Sequence, residues 1–238
     1  MITCVIPARN EAGHLEQLIS EILTIPLIRE IIIVEGGSTD ETWAYAQKLA
    51  RDYPDVIRAM QQSGAGKFDA VLCGSTRATQ DLLIIWDADC TISSSDTFKM
   101  INEAMFSGGV VFGDRLRGRM SRGAMRPANF LGNWLFALAW MPLIRQKPHD
   151  MLCGTKIFPT EVLHDMPTDF LEHDPYGDFA IVLNSIRLNY EIRFVTVNYA
   201  ARSYGQTNIQ RWSGGFSLLR MTIYAYKLIV AKKLKLVS

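Results

Sequence analysis

The sequence has few of the features that would tie a protein to an oxidising compartment. Its 238 residues include only four cysteines, at positions 4, 73, 90 and 153, and no Cys-x-x-Cys spacing. We therefore expect reduced thiols in a cytoplasmic setting and no disulfide framework. A signal peptide is not expected either, because the first methionine leads directly into Thr-Cys-Val-Ile-Pro.

Long apolar runs are also absent. The longest, residues 128–141, contains two asparagines and is followed by Pro142, whereas crossing a bilayer takes about 20 apolar residues. Internal repeats and low-complexity segments are missing as well. With 48% hydrophobic and 21% charged residues, the composition indicates a globular protein and excludes a disordered chain or a polytopic membrane protein.

Acidic residues are scarce at the C-terminal end. From Arg187 onwards there are nine Lys or Arg and a single acid, Glu191, although the whole chain has a net charge of only +1. A helix is predicted over 211–238, with its lysines in the last turns and one apolar face formed by Phe216, Leu219, Ile223, Tyr226 and Val230. This pattern is typical of a helix on an anionic membrane surface, and equally of a packed helix with a solvated basic end.

Short β-rich runs alternate with helical patterns through the first half of the chain. Strands are predicted over 3–6, 30–34, 56–60 and 82–86, with helices that begin near residues 13, 40 and 67. This alternation predicts an α/β fold with a Rossmann-like, mostly parallel sheet flanked by helices. The continuously apolar runs 31–34 and 82–86 predict strands covered on both faces, and Ser38 with Glu41 predicts a capping box for the second helix.

The second half is less regular. It has five arginines between 115 and 126, followed by the apolar run 128–141, which we predict to be a helix. A strand near 155–158, a helix over 178–188, a strand over 192–197 and a polar loop over 202–210 follow. We expect Trp134, Phe136, Trp140 and Met141 of the apolar helix to be buried; if exposed, they would form an interfacial anchor. Without a visible linker, we expect one domain over 1–238, with a nucleotide-binding half (1–114), an acceptor half (115–210) and a basic C-terminal helix (211–238).

Two carboxylates, Asp87 and Asp89, follow the apolar strand 82–86. Ligands bind beyond the carboxyl ends of strands in open parallel sheets, and such a pair suits Mg²⁺ or Mn²⁺ carrying a diphosphate. A turn in which Asp89 caps the next helix is the alternative. Polar loops at 7–11 and 35–40 follow two other strands, and Lys67 opens a helix after Gly64-Ala65-Gly66. Together these segments outline a nucleotide pocket in which Lys67 would face phosphate or ribose.

The ordered set of motifs resembles the family 2 glycosyltransferases of the GT-A fold, and among them the polyprenyl-phosphate sugar synthases such as the dolichol-phosphate mannose synthases. The matching segments cover nearly the whole chain: 6–11, 32–42, 66–67, 87–89, 113–115, 150–156 and 202–208. This resemblance implies that Pro7 and Glu11 lie beside the nucleotide and that Glu35 faces the base or ribose. It also implies that Asp87 contacts the ribose or metal and that Asp89 is a direct metal ligand.

The chain departs from the family at residues 35–36, where relatives usually have two aspartates. Glu35 keeps a carboxylate on a longer side chain and Gly36 offers only backbone, so both uridine and guanosine donors stay open. The transmembrane appendages of many relatives are also missing. The resemblance places a carboxylate at the start of the helix that begins at Asp178, which is then the candidate general base.

Basic side chains supply the remaining candidates. Arg202 and the arginines between 115 and 126 suit phosphate oxygens, and no aromatic-interleaved basic motif indicates nucleic acid. A metal site made by His164 and His173 with neighbouring aspartates is an alternative, although hydrated surface pairs are commoner.

The function expected from these features is an inverting transfer of a hexose from a nucleoside diphosphate sugar to an acceptor, with a polyprenyl phosphate favoured. A hydroxyl acceptor, a nucleotidyltransferase and a non-catalytic sugar-nucleotide-binding protein are the alternatives. A nucleotidyltransferase typically has a Gly-rich loop after the first strand, where this chain has Ala8-Arg9-Asn10-Glu11. We expect a cytoplasmic protein that binds peripherally at the inner face of the membrane; the sequence gives no indication of oligomeric state.

Overall fold

The computed structural model describes residues 1–147, 149–174, 176–202 and 211–231, with the side chains of 211–214 and 229–230 excepted. The strands in these residues are β1 (Ile2–Ala8), β2 (Ile28–Glu35), β3 (Ile57–Gln61), β4 (Leu82–Ile85), β5 (Val110–Asp114), β6 (Lys156–Pro159) and β7 (Ile192–Thr196). The helices are α1 (Leu15–Ile22), α2 (Thr42–Asp52), α3 (Lys67–Ser75), α4 (Ser94–Ser107), α5 (Pro127–Ile144), α6 (Glu161–His164), α7 (Thr168–His173), α8 (Asp178–Arg187) and α9 (Arg211–Val230). The expected polar loop beyond Arg202 and the lysines after residue 231 lie outside the described residues.

The strands form one sheet in the order β3-β2-β1-β4-β6-β5-β7. Neighbouring strands are parallel except at β6, which runs antiparallel to both β4 and β5. The predicted mostly parallel sheet is thus confirmed. The carboxyl ends of the parallel strands share one edge, and because β6 is reversed, its first residue, Lys156, pairs with Ile85 at that same edge.

Alternate side chains of the central strands enter two different cores. Val5, Ile32 and Val34 point to the side covered by α3, α5, α8 and α9, whereas Ile31 and Ile33 point to the side covered by α1, α2 and α4. The apolar runs 31–34 and 83–85 are at most 3% exposed. These strands are therefore covered on both faces, as their composition predicts.

The predicted capping box at the start of α2 is wrong. Glu41 occupies the cap position without a side-chain hydrogen bond, and Asp40 Oδ1 accepts the backbone N–H of Thr42 at 3.0 Å instead. The Ser38 hydroxyl accepts the N–H of Asn10 at 3.0 Å. Ser38 is thus used to join two loops, and the neighbouring aspartate satisfies the helix end.

The analysis of the sequence missed α4 and β5, which lie between the predicted strand 82–86 and the arginines after residue 115. Both ends of α4 carry ordinary signals: the Ser93 hydroxyl accepts the N–H of Asp96 at 3.2 Å, and Gly108 ends the helix at φ 63°. The fully buried β5 then pairs with β7 and with the reversed β6. Its partners come from distant segments, so nothing local identifies its place in the sheet.

The predicted burial of the apolar helix α5 holds for only one of its faces. The Trp140 ring stacks on Phe179 at 4.3 Å between centroids, and its indole N–H donates to Thr222 Oγ1 of α9 at 2.9 Å. By contrast, Trp134 is 45% and Met141 39% exposed. Among the described residues, no helix combines the length and apolar character needed to cross a membrane.

The close packing of α3 on the sheet at Gly74 leads to a testable prediction. Ala is the better helix former by up to about 1 kcal/mol, but a Cβ at Gly74 would approach Val5 Cγ1 to 2.6 Å. We expect Gly74→Ala to lower the free energy of unfolding by about 1–3 kcal/mol, the usual cost of overpacking. Urea unfolding followed by circular dichroism measures the change.

Gly132 of α5 is the matched control, since a Cβ there would meet no atom within 4 Å. Only the helix preference then remains, and Gly132→Ala should raise the free energy of unfolding by about 0.5–1 kcal/mol. Changes of the same sign at both glycines would contradict the close packing of α3.

Candidate active site

The loops that follow β1 and β2 are joined by hydrogen bonds, as their position at one sheet edge predicts. Asn10 Oδ1 accepts the N–H of Thr39 at 2.8 Å, and Thr42 Oγ1 accepts the N–H of Glu11 at 2.9 Å. Pro7 lies just before this junction, two residues beyond the last β1–β4 pair at Val5. The two loops therefore form one rigid wall of the edge.

Glu11 and Asp89 are bridged by one arginine. Arg202 Nη1 lies 3.0 Å from Glu11 Oε1 and its Nη2 lies 2.8 Å from Asp89 Oδ2. The other Glu11 oxygen lies 2.8 Å from Nδ1 of the buried His14. Burial raises the pKa of Glu11 by more than His14 and Arg202 lower it. Glu11 after β1, Asp89 after β4 and Arg202 after β7 thus share one ion-pair network.

Asp89 does not cap α4. Its Oδ1 accepts from Thr91, at 3.2 Å from the backbone N–H and 2.8 Å from the hydroxyl, while Ser93 caps the helix. The alternative of a helix cap is therefore wrong, and the Oδ2 atom of Asp89 faces Arg202.

Asp87 is paired with the lysine that opens α3. Lys67 Nζ lies 2.5 Å from Asp87 Oδ1, and both side chains are about one third exposed, at 34% and 30%. Burial lowers the pKa of Lys67, but Asp87 and then Asp178 raise it by more. Burial conversely raises the pKa of Asp87, and Lys67 brings it below the ordinary value. Both groups are charged at neutral pH.

Gly154 makes this pair possible. A Cβ at position 154 would overlap Asp87 Oδ2 and lie 2.6 Å from Lys67 Nζ. Only a residue without a side chain leaves room there, which explains the glycine in the segment 150–156.

Asp178 opens α8 without capping it. Asp174, fully buried, accepts the N–H groups of Phe179 and Ala180 through Oδ2, at 2.7 and 3.0 Å. Gly177 lies between at φ 77°, where a Cβ would overlap the Phe68 ring. The Asp178 carboxylate instead pairs with Lys156, Nζ to Oδ1 2.5 Å, and is 19% exposed. It is thus free of a structural duty in the helix.

Glu35 lies at the same edge but its carboxylate serves its own loop. It accepts the N–H of Ser38 and, at 3.2 Å, the amide of Gln61. Burial raises the pKa of Glu35, but these donors bring it below the ordinary value. Only 2% of the residue is exposed, and β1 separates its strand, β2, from the strand β4 that leads to Asp87 and Asp89.

The prediction that all the arginines between 115 and 126 face an anionic substrate is wrong for Arg115. Its guanidinium makes a two-point contact with the fully buried Asp150, Nε to Oδ2 2.5 Å and Nη2 to Oδ1 3.1 Å, and lies over the Tyr199 ring. Arg117 lies 3.5 Å from Asp114. The remaining three, at 119, 122 and 126, are exposed.

The structure therefore brings together Glu11, Lys67, Asp87, Asp89, Asp178 and Arg202 at one sheet edge. The sequence analysis missed Lys156, Gly154 and Asp174; a lysine at the start of an apolar strand was the one available signal. The alternative metal site at His164 and His173 is not formed: their rings contact backbone carbonyls of Ser75 and Asp169. In the part of the chain that the structure describes, no three His, Cys, Asp or Glu residues converge as a metal site.

Comparison with known proteins identifies the family. The sequence profile described as glycosyl transferase family 2 matches residues 3–166. The chain belongs to glycosyltransferase family 2. It is 37% identical to dolichol-phosphate mannosyltransferase of Pyrococcus furiosus over 91 residues, which are 37% of this chain and 25% of that protein. It is 30% identical to glycosyltransferase AglJ of Haloferax volcanii over 176 residues, 72% of this chain and 53% of that protein. The family 2 chain thus spans from a quarter to about half of the length of these relatives.

Solved structures share the fold of this family 2 member. Glucosyl-3-phosphoglycerate synthase of Mycobacterium tuberculosis, in complex with Mn²⁺, UDP and phosphoglyceric acid, has a TM-score of 0.66 at 16% identity, covering 94% of this chain and 78% of that one. Mannosyltransferase PcManGT of Pyrobaculum calidifontis, with GDP-Man and Mn²⁺, has a TM-score of 0.58 at 17% identity, covering 97% and 75%. These likenesses confirm the expected GT-A fold.

Because of the Asp174 carboxyl, the stability of the folded chain should fall as the pH rises. Burial and then the Asp178 carboxylate raise the pKa of Asp174 from 3.8 to about 6. The folded chain therefore binds this proton more tightly than the unfolded chain. The resulting stability is fully present below about pH 4 and is lost as the pH rises towards 6, on the order of 3 kcal/mol in total.

We expect the stability advantage of wild type over Asp174→Asn to shrink as the pH rises between about 4 and 7. Urea unfolding across that range measures it. Asp178→Asn is the control, because it keeps Asp174 and should keep the trend with a smaller amplitude. A difference that stays constant with pH would contradict this role of Asp174.

Proposed function

We propose that this chain transfers a hexose from a nucleoside diphosphate sugar to a polyprenyl phosphate, with inversion at the anomeric carbon. The observation that carries the donor half is the pair Asp87 and Asp89, each held by a basic side chain at the carboxyl edge of the sheet. Family membership supports the reaction class, and the site residues take their proposed roles from their places at that edge.

We propose Mg²⁺ or Mn²⁺ as the cofactor. The donor set fits such an ion, because Asp87 and Asp89 offer the hard carboxylate oxygens that it prefers. With no third acidic, His or Cys ligand converging among the described residues, donor diphosphate oxygens and water would complete the shell. Once bound, the ion would neutralise charge on the departing diphosphate. The Mn²⁺ held by both structural neighbours supports this choice.

We propose Lys67 and Arg202 as the ligands of the donor diphosphate. In this structure they neutralise the carboxylates Asp87 and Asp89 at 2.5 and 2.8 Å. A bound cation and diphosphate would let both side chains turn from carboxylate to phosphate oxygens, which the guanidinium fork matches closely. Glu11 would then stay with His14, beside Pro7 at the nucleotide, and Glu35 would hold the loop that faces the base or ribose.

The transfer step needs little proton chemistry when the acceptor is a phosphate. An acceptor phosphate oxygen attacks the anomeric carbon, the bond to the diphosphate oxygen breaks, and its electron pair leaves with the nucleoside diphosphate. The phosphate is largely ionised at neutral pH, with a second pKa of about 6. A hydroxyl acceptor would have to lose its proton, and Asp178 would be the base that takes it.

Donor binding should depend on a divalent metal through Asp89. Asp89→Asn keeps the shape but removes one anionic ligand, so Mn²⁺-dependent binding of UDP or GDP should weaken roughly ten-fold or more, about 1.4 kcal/mol. Calorimetry with and without Mn²⁺ measures it. Asp52→Asn at the exposed end of α2 is the control and should bind as wild type. Unchanged metal dependence in the Asp89 variant would contradict the assignment.

The reaction is tested with UDP-glucose, GDP-mannose and related nucleotide sugars. We expect nucleoside diphosphate release that rises with undecaprenyl phosphate and not with undecaprenol. Release of pyrophosphate would indicate a nucleotidyltransferase, and binding without release would indicate a non-catalytic protein. Stimulation by 3-phosphoglycerate instead would assign a soluble phosphorylated acceptor, which the name of one structural neighbour supports.

The lipid part of the proposal rests on a surface that we call the α5–α9 surface. It consists of the exposed large apolar residues of the two helices, Phe130, Leu131, Trp134, Leu135, Met141, Phe216, Leu219, Ile223 and Tyr226. The helices contact each other through Trp140 and Thr222, and the Tyr226 hydroxyl donates to the Ala139 carbonyl at 2.6 Å. Both helices also pack on α8, and we propose that their exposed faces form one surface.

The charges around the α5–α9 surface favour an anionic lipid. The segment 116–149, which includes α5, has six Lys or Arg and no acid, and α9 has three Lys or Arg and no acid. Apolar side chains framed by cations match the interface of a membrane with anionic headgroups. The predicted basic end with Lys232, Lys233 and Lys235 lies outside the described residues. Peripheral binding at the inner face of the membrane is therefore proposed for α5 and α9 together.

Flotation with liposomes tests this surface. Trp134→Ser with Leu135→Ser should reduce binding to phosphatidylglycerol vesicles roughly ten-fold or more, because each apolar side chain loses about 1.5–3 kcal/mol of burial. Phe106→Ser is the control, as Phe106 is 84% exposed on α4, away from the surface. Wild-type binding should weaken at high salt. Equal loss in both variants would refute the surface.

A further inference from the structure

A fully buried lysine lies next to the proposed site. Lys156 opens β6, is 1% exposed, and pairs in the sheet with Ile85 on one side and Phe112 on the other. An ammonium group in such surroundings is costly unless hydrogen bonds and opposite charge compensate it.

The Lys156 ammonium has its hydrogen-bond partners at the edge of the sheet where the proposed site lies. Lys156 Nζ donates to the Cys153 carbonyl and to Asp178 Oδ1, the latter at 2.5 Å, and lies 5.4 Å from the centroid of the Phe112 ring. The Asp178 carboxylate is 19% exposed and so reaches the solvent-accessible part of the edge. The ion pair therefore connects the interior of the sheet with the site.

The fold does not require this ion pair. Asp174 supplies the hydrogen bonds at the start of α8, which leaves Asp178 without a capping role. Buried ion pairs often contribute no more stability than well-packed apolar residues of similar size. A lysine and an aspartate at these two positions are thus better explained by what they do at the edge of the sheet.

The Asp178 carboxylate also acts electrostatically on a second lysine, Lys67. Lys67 is paired with Asp87, and the Asp178 charge also acts on it, raising its pKa together with Asp87. Without a cation of its own, Asp178 would compete with Asp87 for Lys67. Each of the two carboxylates, Asp87 and Asp178, thus has its own lysine at 2.5 Å, Lys67 and Lys156.

We propose that Lys156 is a positioning residue that holds the Asp178 carboxylate in place and thereby leaves Lys67 to Asp87 and to the donor diphosphate. This inference rests on the proposed function, since the site at which Asp178 acts is the proposed transfer site. Lys156 touches neither donor nor acceptor and acts only through Asp178.

A double-mutant cycle on turnover tests this role. Lys156→Met replaces the buried ammonium by an apolar side chain of similar length, and Asp178→Asn removes the charge that it holds. With GDP-mannose and UDP-glucose as donors, undecaprenyl phosphate as acceptor and Mn²⁺ present, we expect Lys156→Met to lower kcat for nucleoside diphosphate release roughly ten-fold or more, because the unpaired Asp178 carboxylate then draws Lys67 away from the diphosphate. Asp178→Asn should lower kcat by less, since a phosphate acceptor needs no base. The double variant should be faster than Lys156→Met, because the carboxylate that competes for Lys67 is gone.

Three controls separate positioning from a structural role. Lys48→Met breaks an exposed Lys–Glu pair whose side chains are both 54% exposed and should leave kcat unchanged. Lys156→Arg keeps a cation at the site and should recover part of the turnover lost in Lys156→Met. Urea unfolding should show that the double variant is at least as stable as Lys156→Met, since it leaves no unpaired carboxylate.

The outcomes are distinct. Losses in kcat that multiply in the double variant, or a normal kcat in a merely destabilised Lys156→Met, would overturn the positioning role while leaving the proposed function intact. A wild-type chain that releases no nucleoside diphosphate from any nucleotide sugar would overturn the proposed function and this inference with it.

Discussion

Negative charge gathered at one edge of the sheet is the constraint on which the site depends. Parallel strands end there, so the loops that follow them bring Glu11, Asp87 and Asp89 together, and α8 adds Asp178. Carboxylates this close repel one another in partly buried surroundings. Each is matched by a basic side chain from a distant element, and in one pair, Arg202 with Glu11, the partners are 191 residues apart. The site therefore depends on the folded chain from Glu11 to Arg202.

Under the proposed function, the same charge matching would suit a polyanionic ligand that arrives with a cation. Lys67 and Arg202, which already lie on carboxylates, would need only to exchange partners when a metal and a diphosphate enter. The two new charges would arrive as partners of opposite sign, so that no charged side chain would lose its partner, which would limit the cost of desolvation. A site built in this way is ordered before its ligand binds, so less binding free energy is lost in arranging side chains.

The order of residues in short segments was enough to predict the strands of the site and the polar loops that follow them. The apolar run before Asp87 and Asp89 predicted a parallel strand with these carboxylates at its carboxyl end. The loops near Glu11 and Lys67 were predicted in the same way, from their positions next to strands and helices. Lys156 escaped because its place depends on the reversal of β6, which no short segment encodes. The burial of Arg115 escaped because Asp150 lies 35 residues further on. The role of Asp174 escaped because it depends on the glycine turn at 177, which places this carboxylate over the start of α8.

Reversal of β6 also gives the two ends of this strand different tolerances to change. The chain enters the sheet at the site edge through Lys156 and leaves it beside Leu82, at the opposite edge. One residue added before Lys156 would turn every side chain of the strand to the other face and move the buried ammonium out of its place. After Pro159 the chain is remote from the site, and Glu161 is exposed there. The connection that follows β6 is Thr160, whose backbone N–H and hydroxyl donate to the carbonyls of Asp81 and Gln80 at 2.9 and 2.8 Å. A change at this end of the strand would therefore disturb the start of β4 and leave the chemistry of the site edge untouched.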